Sequence, residues 1–228
     1  MPTATGPSLH QLSTPRAAAL AGVVFAVLFA TVLVLIRIRM PEGLEDSTAW
    51  LSNGRGGIVT ATMLMPFAGI SFLWFIGVAR DGLGRFEDRF FASVFLGSGL
   101  LFLAMMFVAT AAAAGLVASK TTNPDVVAFG KMVVLPASKT YALRMAAEFM
   151  ISLATIWLKT GLMPRWLVGL SYLVALAVLV ASDISMWVTM AFPIWVLVVS
   201  GLLLVKDRVI DVDRVIDVGS TPTAQVRE

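Results

Sequence analysis

The sequence predicts an all-α protein, a polytopic transmembrane helical bundle with six spans, and three observations carry that reading. Hydrophobic residues make up 58 % of the chain and charged residues 14 %, against about 45–50 % and about 25 % in an ordinary soluble domain. The excess comes in uninterrupted blocks, most of them near the roughly 20 residues that carry a helix across about 30 Å of hydrocarbon. The blocks are apolar on every face, without the alternation of a transmembrane strand, and helices satisfy their own backbone in lipid.

Residues 1–16 are rich in Pro, Ser and Thr and read as a disordered cytosolic tail. The first span, 17–36, is longer than the apolar core of about 7–15 residues in a signal peptide, and Arg37 and Arg39 follow it instead of a small-residue cleavage site. A polar connection leads on through Asn53-Gly-Arg-Gly-Gly, which lacks the Lys and Ser of a phosphate loop and reads as a turn. The second span, 58–79, contains Pro66, and Thr60 and Thr62 lie close enough to serve the carbonyl that a proline frees. Gly82 and Gly84 then break the helix within a charged hairpin tip, Arg80 to Phe90. The third span, 91–118, exceeds a perpendicular crossing and predicts tilt or a protruding end. Ser93 with Gly97, and Ala111 with Gly115, have the small-residue spacing that lets helices approach closely.

Between Pro124 and Pro136 lies an apolar run, 126–135, too short to span; it reads as an interfacial segment, with a re-entrant loop as the alternative. The fourth span is 141–158. Gly161 is placed to end it and Pro164 to begin the next helix. The fifth span is 167–182, Asp183 to Ser185 form a turn, and the sixth span, 186–205, has Pro193 inside it. Residues 206–228 form a charged cytosolic tail, predicted to be disordered, in which Arg-Val-Ile-Asp-Val occurs at 208–212 and again at 214–218. The copy reads as a local duplication; its alternating Val and Ile would also suit addition to a sheet edge.

Six spans leave both termini on one side, and the distribution of Lys and Arg chooses which. The first tail, the 80–90 tip, the turn after the fourth span and the last tail hold ten basic residues, the opposite side six. Both termini are therefore expected in the cytosol of a cell whose inner (plasma) membrane holds the protein. Trp157 and Trp166 fall near the inner boundary, and Tyr141 and Trp187 near the outer, as aromatic belts do.

The chain has one histidine, His10, and no cysteine, which removes the usual ligand sets of zinc, haem and iron–sulfur sites. No cofactor or metal is predicted. Basic residues flank apolar blocks instead of forming a stripe with interleaved aromatics, so the expected surroundings are the lipid bilayer and not nucleic acid. The candidate site is the intramembrane pair Arg144 and Glu148, at i,i+4 spacing on one helical face. Glu148 lies seven positions into its span, about 10 Å along the helix, where ionisable groups are costly and usually face the bundle interior. It is therefore expected to point inward, either as a structural ion pair or as a proton site flanked by kinks at Pro66 and Pro193, with Asp183 at the outer entrance.

A second candidate is the hairpin tip, where Arg80, Asp81, Arg85, Glu87, Asp88 and Arg89 form either a solvated loop or a cytosolic docking site for a partner. No nucleophile elbow, His-Glu-x-x-His motif or second intramembrane carboxylate supports an enzyme. PFAGISFLWFIGVARDGLG, EDRFFASVFLGSGLLF and KTGLMPRWL resemble a family of small six-helix membrane proteins from actinobacteria without an assigned activity. The resemblance implies the six-span fold and a bacterial inner membrane, and it supplies no site residues. The functional expectation is a structural or regulatory membrane component, working as a homo-oligomer or with a membrane protein partner. The alternative is a small proton- or cation-coupled transporter using Glu148.

Overall fold

The computed structural model describes residues 14–40, 54–81, 89–181 and 186–219, with side chains of the last helix described to Val205. The elements in order are α1 (Thr14–Arg39), α2 (Arg55–Asp81), α3 (Arg89–Ser119), α4 (Pro124–Leu135), a π-helical turn (Pro136–Tyr141), α5 (Ala142–Thr160), α6 (Arg165–Ala181), a 3₁₀ turn (Met186–Met190) and α7 (Ala191–Gly219). No strand occurs among the described residues. Five helical stretches are long and apolar enough to cross a membrane, and the 17-residue α6 is a shorter apolar helix beside them. The chain is an all-α bundle built for lipid. Residues 1–13 of the first predicted tail and 220–228 of the second lie outside those described, while 206–219, expected to be disordered, continue α7 as helix to Gly219.

The long helices close a ring in chain order. α1 packs on α2, α2 on α3, α3 on α5, α5 on α6, α6 on α7, and α7 returns to α1. The centre of the ring is aromatic. Phe25 and Phe29 of α1, Phe72 of α2, Phe102 of α3, Phe149 of α5 and Phe192 of α7 are fully buried. Their rings meet at centroid separations such as 4.5 Å for Phe25–Phe72, 4.9 Å for Phe102–Phe192 and 5.1 Å for Phe72–Phe149. Tilted and edge-on ring pairs contribute about 0.5–1.5 kcal/mol beyond their burial, and in lipid, where hydrophobic driving force between helices is absent, such packing holds the bundle.

Tight approach happens at glycines other than those singled out from spacing. A Cβ on Gly22 would collide with Ser200 Oγ, on Gly69 it would lie 2.6 Å from the Phe107 ring, and on Gly99 2.8 Å from Ile76. At Gly97 and Gly115 it would meet nothing within 4 Å, so the Ser93–Gly97 and Ala111–Gly115 pairs do not mediate packing between the described helices. Small-residue spacing marks where a helix could approach, and the rotation of α3 turns these positions outward.

The expected interfacial segment is not separate from the fourth span. Pro124–Thr160 is a single helical stretch of 37 residues, about 55 Å long at 1.5 Å per residue, and so it extends well beyond one crossing. Pro124 starts it behind Asn123, whose Oδ1 accepts the Asp125 N–H at 2.9 Å. At Pro136, which cannot donate to the ladder, the helix widens into the π turn, where Ser138 Oγ donates to Val134 O at 2.8 Å. A proline that ends most helices is accommodated here by a change of winding.

Pro193 also differs from expectation. The sixth span is a 3₁₀ turn followed directly by α7 from Ala191, so Pro193 stands in the first α-helical turn, just after a change of winding. Pro66 does lie inside α2. Thr60 and Thr62, however, donate to the Gly56 and Ile58 carbonyls at 2.9 Å each, instead of serving the Thr62 carbonyl that Pro66 leaves. Trp157 is 5 % exposed and packs against Trp195, so it belongs to the core and not to a belt; Trp166, Trp187 and Tyr141 are at the surface. Gly161 ends α5 in the left-handed conformation, φ 67°, with its N–H on Trp157 O, and α6 opens directly after Pro164.

Candidate functional site

α5 has the largest buried share of the membrane-length helices. Its inner faces, from Ala142 and Leu143 through Phe149 to Trp157, pack against α3, α6 and α7. What it leaves outward is one face: Tyr141, Arg144, Met145, Glu148, Ile151, Thr155, Leu158 and Lys159 are exposed or half-buried. Steps of three and four residues keep such a strip on one side of a helix.

Glu148 is therefore half-buried on the outward strip, and the expectation that it points into the bundle is corrected. The interior face of α5 is taken by the large rings of the aromatic centre, which leave the carboxylate the side away from them. Glu148 lies about 18 Å from the end of α5, within a continuous apolar helical stretch of membrane-spanning length, Pro124–Thr160. Its Oε1 accepts a hydrogen bond from Ser152 Oγ, one turn later, at 3.2 Å. Arg144 sits one turn earlier on the same strip and is exposed.

Further along the strip, Thr155 Oγ1 donates to Ile151 O at 2.8 Å and lies 2.7 Å from Tyr172 OH of α6. With the threonine proton committed to the backbone, the tyrosine hydroxyl is the donor in that pair. The hydroxyls thus form two separate sets, Ser152 with Glu148 and Tyr172 with Thr155. Ser152 and Thr155 were legible in principle, four and seven residues after Glu148 on one face; Tyr172 was not, because it arrives on another helix.

The outward faces of the neighbouring helices are different in kind. Val24 and Val27 on α1, Phe67 and Ile70 on α2, and Leu173 and Leu176 on α6 are all exposed large hydrophobics. Outward hydroxyls such as Thr31 and Thr60 donate to the carbonyl four residues back, which hides their polarity from lipid. On α5 the strip instead carries charge.

Of the hairpin tip, Arg80 is exposed in the last turn of α2, where a cation suits the helix dipole. Asp81 closes α2 and Arg89 opens α3, while Arg85, Glu87 and Asp88 lie outside the described residues, as does Asp183. Lys159 Nζ stands 4.3 Å from the centre of the Phe91 ring, which brings the end of α5 to the start of α3 beside this tip. At the other end of the bundle a cavity of about 40 Å³ lies between α1 and the 3₁₀ turn, lined by Leu33, Val34, Arg37, Ile38, Trp187, Thr189 and Met190. Arg37 is buried there.

Comparison with family models, with curated proteins and with solved structures returned no match.

Proposed function

We propose that the chain is a six-span protein of the inner (plasma) membrane, both termini cytosolic, with a structural or regulatory role exercised by helix association in the bilayer. The observation that supports this reading is the orientation of Glu148, outward and away from a centre filled by phenylalanine rings. A group that lines a path through the bundle would face that centre. A charged strip on an otherwise apolar exterior suits a surface that another helix covers, because a polar group in hydrocarbon gains most from a partner that can hydrogen-bond it. No enzyme activity forms part of the proposal, and the resemblance to actinobacterial six-helix proteins agrees with the location.

One observation favours a second reading, a small proton- or cation-coupled transporter using Glu148: the carboxylate carries the Ser152 hydroxyl within a helical stretch of membrane-spanning length, where few acids occur. Proton and monovalent-cation flux in proteoliposomes under an imposed gradient separates the two. The expected result is no flux above empty vesicles from the protein or from Glu148→Gln. Flux that vanishes with Glu148→Gln overturns the structural reading and installs the transporter.

The hairpin tip is proposed as a cytosolic docking site. Alanine at Arg80, Arg85 and Arg89 should remove at least one protein captured with the full chain; an unchanged set of captured proteins removes the docking role.

A further inference from the structure

We propose that the outward strip of α5 is the face on which two copies of this chain pair, related by a two-fold axis along the membrane normal. The inference rests on the reading of the strip as a helix-association surface and names its occupant. α3 and α6 flank α5 on either side, and Tyr172 of α6 meets the strip at Thr155, so the outward stretch runs from exposed Arg144 through half-buried Glu148 to half-buried Ile151. Its charge is self-complementary: Arg144 and Glu148 have opposite sign and stand one turn apart, about 6 Å along the axis.

Copies in one membrane share an orientation, so a two-fold axis along the normal sets each residue opposite its own counterpart at equal depth. The long Arg144 side chain of one copy then reaches the Glu148 carboxylate of the other, and the reverse contact follows by symmetry, as in any isologous interface. Glu148 has the capacity for it, since a carboxylate offers about four acceptor sites and the Ser152 hydroxyl takes one. Ile151, nearly one turn beyond Glu148, supplies the apolar step of the seam, and polar residues at such seam positions fix register and partner number.

The test uses the full chain, whose lack of cysteine makes a single introduced thiol unambiguous. Ile151→Cys should form a disulfide-linked dimer on mild oxidation in native membranes, and Leu176→Cys, on an apolar outward face, should not. In the Ile151→Cys background, Arg144→Glu alone or Glu148→Arg alone should lower the cross-linked fraction about ten-fold or more, because each places like charges together in hydrocarbon. The double exchange, Arg144→Glu with Glu148→Arg, should restore it, which loss of folding could not do. If Ile151→Cys neither cross-links nor reacts with a lipid-soluble maleimide, another membrane protein covers the strip; the second-copy inference falls and the association reading stands. If it stays monomeric and reacts as readily as Leu176→Cys, the strip faces lipid and both fall.

Discussion

Trp195 on α7 donates its indole N–H to Ser171 Oγ on α6 at 2.8 Å, with both residues buried. Ser171 passes its own proton to Leu167 O at 2.8 Å, so one hydroxyl ties the indole to the backbone of the neighbouring helix. α6 and α7 share the slightest contact in the ring, which makes this bond a main determinant of how the ring closes. Ser171→Ala strands the N–H in a dry core, and a buried donor left unmet costs about 1–3 kcal/mol. Bonds between membrane helices average nearer about 0.6 kcal/mol, so a loss of about 1 kcal/mol is expected in detergent unfolding. Ser171→Thr, which keeps the hydroxyl, should lose less; equal losses from both would show that the bond contributes nothing.

The aromatic centre makes a sharper demand. Phe102 contacts rings from α1, α2 and α7, and Phe102→Ala removes packing on several sides at once, an expected cost of about 3–5 kcal/mol. Phe67, 61 % exposed on the outside of α2, should tolerate alanine within about 0.5 kcal/mol. Comparable thermal shifts for the two variants would contradict a bundle packed about its phenylalanines.

Glycines on α3 should divide by neighbour and not by motif. A methyl at Gly99 would lie 2.8 Å from Ile76 Cδ1 and 3.1 Å from Phe149 Cδ2, and overpacking of this kind costs about 1–3 kcal/mol. At Gly97 the same methyl meets nothing within 4 Å, and alanine there should be neutral or stabilise by up to about 1 kcal/mol through helix propensity. Unfolding of the two single variants in one detergent decides it.

Orientation has its own reporter. With no native cysteine, Ser47→Cys, in the connection from α1 to α2, should react with an impermeant thiol reagent applied to intact cells. Protection until the cells are broken would reverse the assignment of both termini to the cytosol.

Hydrophobic blocks, their lengths and the signals at Gly161 and Pro164 were enough to establish an all-α membrane bundle, because in lipid each span satisfies its own backbone and is specified locally. Glu148 could likewise be found from the sequence as the acid within a span. Which way it faces could not, because that depends on how α5 is rotated, and the rotation follows from where Phe149 and the rings of the other helices pack. For the same reason Gly22, Gly69 and Gly99 mark close approaches, while Gly97 and Gly115, better placed by spacing, have no neighbour there. Pro136 bends the rule in the other direction: a local stop signal was absorbed by a π turn within one long helix. Local apolar blocks are enough to specify helices for a bilayer, whereas the aromatic centre and the outward charge follow from how those helices pack, because side-chain packing between helices has no local code.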